Sequence, residues 1–166
     1  VASKQNRLPK AIIPTHLYGQ SVDLDRLESL AEEYEIKLIV DSSESLGAEY
    51  LNGRKAGTGG DISILSFNGN KIITTGGGGV VITHDEALAS RIRHLASTAK
   101  KPHRYEYDHD GIGFNFRMPA LNASLGCSQL KKIDLMLEKK ANLTIRYKDA
   151  FEMIQGCSFY TPPPQS

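Results

Sequence analysis

The hydrophobic positions come in short bursts whose spacing changes along the chain. Residues 10–15, KAIIPT, form a brief run rich in β-branched side chains, the mark of a strand. A turn-like HLYGQS follows. In DLDRLESLAEEYEI, Leu24, Leu27, Leu30, Ala31 and Tyr34 fall on one helical face with acids between them, which predicts an amphipathic helix. KLIV, residues 37–40, is then apolar without interruption and ends on Asp41, as a strand covered on both faces reads. Strand, helix and strand within roughly 30 residues make a βαβ unit with parallel strands.

Beyond it, Asn52-Gly53 signals a tight turn between short extended pieces. A second apolar run at residues 62–67 and a third at 80–83 predict two more strands. Thr83-His84-Asp85-Glu86 has capping-box spacing, which opens a helix carrying Leu88, Ile92 and Leu95 on one side. Residues 100–116 are polar and aromatic without a period, the pattern of a long ordered or partner-contacting loop. From Pro119 the helical pattern returns, as two helices or as one bent near Gly126. The class is α/β, with a mostly parallel central sheet flanked by helices.

Composition narrows the possibilities. With 166 residues, 40% of them hydrophobic, and a net charge of +1, the chain has the material for one domain with a substantial core. It lacks the basic bias of a nucleic-acid binder. No apolar run approaches the roughly 20 residues of a membrane helix, and VASKQNR is not a signal peptide. The expectation is a cytoplasmic protein with no membrane or nucleic-acid partner. Cys127 and Cys157 have neither metal-ligand spacing nor a disulfide framework around them. A first residue of Val1 and the prolines at 162–164 suggest an excerpt of a longer protein.

Ligands of open parallel sheets sit outside the carboxyl ends of the strands. Three places stand there: His16, Asp41, and Ser66 together with Lys71. Each has a plain explanation. Asp41 could cap a helix at residues 42–46, Ser66 could be a strand-end hydroxyl, and Lys71 could be a solvated charge, since unpaired lysines are almost never buried. The glycines at 76–79 alter the balance. VVIT resumes a strand directly after them, so they permit tight or positive-φ backbone or a close approach rather than forming a linker. They are not a nucleotide loop either, because no helix follows a GxGxxG and no Gly-Lys-Ser/Thr occurs. A lysine on a structured loop near a strand-end acid and a hydroxyl is what a pyridoxal phosphate (PLP) site requires. The amine forms the Schiff base, the carboxylate keeps the pyridine nitrogen protonated, and the hydroxyl helps hold the phosphate.

The stretch DSSESLGAEYLNGRKAGTGGDISILSFNGNKIITTGGGGVVIT resembles the core of the DegT-type sugar aminotransferases, fold-type I PLP enzymes acting on keto nucleotide sugars. HLYGQ, Ser66-Phe67 followed by Lys71, and IGFNFRMPALNASLGCSQL match that family in order, over residues 9–130. The resemblance implies the large domain of the aspartate aminotransferase-like fold, with residues 1–130 as its C-terminal portion and 131–166 as a helix leading towards a small domain. It implies that Lys71 is the Schiff-base lysine and general base, Asp41 the pyridine-nitrogen partner and Ser66 a phosphate ligand. It implies also that Asn115 reaches the phosphate of the neighbouring subunit, making a homodimer with shared active sites. One position departs from the pattern: Glu44 stands where the family commonly has Gln or His near the cofactor's phenolic oxygen. A carboxylate there repels a phenolate unless it is protonated or turned away.

The expected function is amino transfer, from glutamate, to a 3-keto or 4-keto nucleotide sugar in surface polysaccharide or glycan biosynthesis. The alternative is a regulatory or binding protein that keeps the fold without turnover. An NAD enzyme acting on the same sugars is disfavoured, as no strand feeds a GxGxxG turn. The family's phosphate-binding Gly-Thr/Ser pair lies upstream of Val1 and its small domain beyond Ser166, so this chain alone is expected to leave the site incomplete.

Overall fold

The structure, a computed structural model, describes residues 7–160. The prolines at 162–164 and most of the polar start lie outside the described residues. Four strands form one sheet in the order β1-β2-β3-β4: β1 (Ala11–Ile12), β2 (Lys37–Asp41), β3 (Ile62–Ser66) and β4 (Gly79–Ile82). The first three run parallel and β4 returns antiparallel to β3. Four helices accompany them: α1 (Leu24–Glu33), α2 (Glu86–Ala96), α3 (Ala120–Leu130) and α4 (Ile133–Glu152). The sheet is thus mostly parallel and flanked by helices, as the pattern predicts.

The βαβ unit forms the core. Asp23 caps α1 by accepting from the Arg26 N–H at 3.2 Å, and the helix turns Leu24 and Ala31 inward onto Leu38, Val40 and Tyr50. Each fully buried aliphatic side chain contributes about 1.5–3 kcal/mol. β2 departs from the expectation of burial on both faces. Leu38 and Val40 are buried, while Ile39 and Asp41 on the other face are only partly covered. The turn at Asn52-Gly53 appears as expected, with Glu49 bridging Lys55 and the Gly53 N–H donating to Tyr50 O at 2.9 Å. Arg54, on the far side of this turn, clasps Glu28 and Asp25 of α1.

Two predicted boundaries move. The cap of α2 is Asp85, whose Oδ1 accepts from the Leu88 N–H at 3.0 Å. Thr83 instead donates its hydroxyl to Asp61 O and accepts the Asp85 N–H, one step outside the cap. The break in the C-terminal helical region falls at residues 131–132 and not at Gly126. Gly126 lies within α3, buried, where a Cβ would stand 2.8 Å from Thr75 Cγ2. It is a packing glycine. After Leu137, which presses on Gly47, every residue of α4 is exposed.

Candidate active site

The parallel ladder fixes which residues share an edge. Thr15 bridges Asp41, and Asp41 pairs with Ile64, two positions before Ser66. The carboxyl ends of β1, β2 and β3 therefore bring His16, Asp41 and Ser66 to one margin of the sheet. Residues 67–78 form the loop between β3 and β4, and Lys71 sits on it.

That loop is tied down. Phe67 donates its N–H to Gly78 O at 2.9 Å and accepts from the Thr75 N–H at 3.0 Å. Ile73 and Thr75, within it, are buried. From α3, Gln129 Oε1 accepts the Thr74 N–H at 2.8 Å and the Asn122 amide donates to Thr75 O. Gly78 has φ +112°, and a Cβ on Gly79 would meet Leu65 O at 2.5 Å. The run of glycines thus serves both expected purposes, left-handed backbone and close strand approach. Lys71 stands on ordered backbone.

Its side chain is only 16% exposed, and Lys71 Nζ lies 3.2 Å from Glu44 Oε1. The other oxygen of Glu44 accepts the Tyr18 N–H at 2.7 Å. Tyr18 holds φ +56°, a conformation non-glycine residues rarely adopt, and this turns its amide towards Glu44. The Tyr18 amide first, and the Lys71 ammonium second, hold the Glu44 carboxyl below the usual carboxylate range. Glu44 is therefore ionised, and it is directed at Lys71.

Asp41 caps no helix, because residues 42–46 form turns. Its Oδ1 accepts the Ser43 N–H at 3.1 Å and the Ser43 hydroxyl, and its Oδ2 has no hydrogen-bond partner among the described residues. Ser66 Oγ accepts the Asn68 N–H at 3.3 Å and donates to no described group. His16 is fully buried. Its Nδ1 lies 2.8 Å from Ser45 Oγ and 3.2 Å from Ser42 Oγ, and Nε2 lies 3.4 Å from the Tyr50 hydroxyl. Burial pushes its pKa down, against the weaker pull of Asp41.

Asn115 bridges Ser97 near the start of the polar loop, and its side chain is exposed without a partner among the described residues. The loop has no helix or named strand. It folds back on itself through a bridge between Lys100 and His109, and His94 Nε2 meets Asp110 Oδ1 at 2.6 Å to fasten it to α2. Tyr105, Tyr107, Ile112 and Phe116 are each at least 74% exposed. Sequence reasoning overlooked Tyr18, Asn122 and Gln129. All three lie inside motifs that carry the family resemblance, but the first acts through its backbone and the other two from a distant helix, so the motifs do not show what they contact.

The donor set fits PLP: an amine on an ordered loop, a strand-end carboxylate with one oxygen unengaged, and a strand-end hydroxyl with a proton to give. The fold is that of the PLP-dependent aminotransferases. The chain belongs to the DegT/DnrJ/EryC1/StrS aminotransferase family, whose model matches residues 1–166. Over 158 residues it is 43% identical to EpsN of Bacillus subtilis (strain 168), provisionally described as a pyridoxal phosphate-dependent aminotransferase, covering 95% of this chain and 40% of that protein. With GDP-perosamine synthase of Escherichia coli O157:H7 it shares 39% identity over 148 residues, 89% of this chain and 40% of the relative. Among solved structures, PseC of Helicobacter pylori, an aminotransferase involved in the biosynthesis of pseudoaminic acid, superposes with a TM-score of 0.83 at 32% identity, covering 90% of this chain and 40% of that one. The chain spans about two fifths of the length of these relatives. Among the described residues, no helix is long and apolar enough to cross a membrane and no cluster could hold a metal ion.

Proposed function

We propose that the full-length protein is a PLP-dependent aminotransferase that moves an amino group from glutamate to a keto nucleotide sugar, in the making of a surface polysaccharide or glycan. The observation that carries this is Lys71, ordered on its loop, largely covered and paired to Glu44, at the sheet margin that also carries Asp41 and Ser66. Family membership and the sugar aminotransferases among its relatives support it.

PLP, when bound, supplies an electron sink for the pair left behind when a C–H bond beside nitrogen breaks. The chain's own residues do the rest. Lys71 Nζ would anchor the cofactor and, once freed, would take the proton from the donor's α-carbon as general base. Asp41, whose Oδ2 is unengaged, would hold the pyridine nitrogen and keep it protonated by a charge-assisted hydrogen bond. Ser66 would donate its hydroxyl to the phosphate. Glu44 holds the Lys71 ammonium in place until the cofactor arrives.

The aromatic loop before Asn115 is assigned to a two-fold interface. Isologous packing there covers Tyr105, Tyr107 and Phe116 and carries Asn115 to the other subunit's phosphate. The exposed length of α4 is assigned to the path into a small C-terminal domain.

The test uses full-length protein with added PLP. An absorbance band from a lysine-bound cofactor should form, shift on adding glutamate, and return on adding a keto nucleotide sugar with an amino sugar produced. A band that forms and ignores glutamate would support a binding protein without turnover.

A further inference from the structure

His16 is buried, titratable and without a part in the chemistry above. It cannot be a base for a bound substrate, because its ring is wholly enclosed. Its Nδ1 and its backbone N–H both engage the turn at residues 41–45 that carries Asp41 and Glu44, while Nε2 faces Tyr50.

We infer that His16 is a positioning residue, a buried strut whose ring holds that turn so that the Asp41 and Glu44 carboxylates face the cofactor edge. Three independent ties run from the short segment 14–18 to the turn. The backbone tie comes first: the Asp41 N–H donates to Pro14 O and the His16 N–H to Asp41 O, each at 2.9 Å. The ring tie is second. Nδ1 lies against the Ser45 and Ser42 hydroxyls, both fully enclosed, and Nε2 faces the hydroxyl of Tyr50. The third is the Tyr18 N–H on Glu44 Oε2. His16 stands between the other two ties, so the ring sets the spacing at which both can form.

The chemistry of the ring explains why a histidine serves. Ser42 and Ser45 are buried hydroxyls, and an apolar side chain in place of His16 would deprive them of their ring partner, which is costly in a dry interior. A neutral imidazole can accept from the nearer serine, Ser45, at Nδ1 while donating to Tyr50 at Nε2. The edge of that ring at Tyr50 is also braced by the aromatic contact between the two side chains, with centroids 5.5 Å apart and planes at 72°. The turn is thereby fixed from beneath by His16 and from above by Tyr18. The two carboxylates depend on this because displacements of order 1 Å are felt strongly in reacting geometries.

The inference rests on the turn facing PLP as proposed above, and it is tested on full-length protein with two readouts. Three variants serve: His16→Phe, which keeps a ring without nitrogen; the double Ser42→Ala with Ser45→Ala, which leaves the ring in place; and His16→Asn, which returns a hydrogen-bonding atom near the Nδ1 position. The first readout is the PLP dissociation constant with the pH midpoint of the bound-cofactor absorbance. The second, on cofactor-free protein, is the rate of trace acylation of Lys71 by acetic anhydride, followed by mass spectrometry. Lys71 is shielded by Glu44 only while the turn holds. His16→Phe and the double variant should weaken PLP about tenfold, the equivalent of losing one hydrogen bond's worth of positioning, shift the midpoint, and acylate Lys71 several-fold faster. His16→Asn should recover most of both. Unchanged acylation and PLP affinity beside a lowered melting temperature would overturn the inference and leave His16 a core residue. Should the wild type bind no PLP at all, the proposed function fails, while the acylation rates still decide the strut.

Discussion

Lys71 Nζ and Glu44 Oε1 stand 3.2 Å apart across 27 positions of sequence. The pair joins the loop after β3 to the turn after β2, and after the Tyr18 amide it is the second influence that lowers the pKa of Glu44. Glu44 is an ionised carboxylate. It does not lie loose, because the Tyr18 amide and the Lys71 ammonium engage both of its oxygens.

Lys71→Ala in the full-length protein should abolish the lysine-bound cofactor band and turnover while the fold persists, since the side chain lies on a loop anchored by other residues. Borohydride reduction followed by peptide mapping should place the pyridoxyl group on Lys71. A label on Lys55 or Lys100 instead would remove the assignment.

Asp41→Asn should still bind PLP but slow proton abstraction severely, because a neutral amide cannot hold the pyridine nitrogen protonated through a charge-assisted bond. Single-turnover rates with glutamate report this. An unchanged rate would reduce Asp41 to a partner of Ser43 in the local turn.

Asn115→Ala should weaken cofactor retention more than it slows chemistry at saturating PLP. Mixing it with Lys71→Ala tests the shared site. In the heterodimer, the site with intact Lys71 receives the intact Asn115 only if the contact crosses subunits, and it should then retain PLP normally. Weakened retention at that site would place Asn115 within its own chain.

Gly79→Ala should destabilise the protein by about 1–3 kcal/mol, the usual cost of forcing atoms into a filled space. Its Cβ would stand 2.5 Å from Leu65 O, and a strand backbone cannot yield as a flexible side chain can. Denaturant unfolding measures it. A loss within error would mean that β4 shifts without cost.

Acid should destabilise the fold partly through His16. Its folded pKa is depressed by burial, so the unfolded chain binds the proton more readily than the native one. Stability is therefore undiminished above the unfolded value near pH 6.5 and declines as pH falls below it towards the folded pKa. His16→Phe should flatten this part of the stability-pH curve. A curve of unchanged slope would assign the acid sensitivity to other groups.

Local pattern alone determined the order of elements and the edge on which the site lies. Residues 10–15, 24–34, 37–41 and 62–67 carry their periods visibly, because burial of one face or of a whole strand dictates side-chain type position by position. Parallel pairing then follows from chain connectivity, and with it the common edge of Asp41, Ser66 and Lys71. The run at 76–79 announced its backbone freedom because few sequences other than glycine tolerate it.

The tertiary structure decided whatever depends on partners distant in the chain. Thr83 has the spacing of a cap, yet Asp61 O takes its hydroxyl, and no spacing rule contains Asp61. Gly126 reads as a bend and is instead the site where Thr75 comes too close for a side chain. Glu44 could have been protonated, averted or paired, and only the folding of Tyr18 and Lys71 onto it selects the paired state. His16 stood among the strand-end candidates by sequence, but its ring turns inward to two serines 26 and 29 positions away. Side-chain direction at a strand end is set by what the neighbouring turn offers, and the turn takes its shape only when the sheet is assembled.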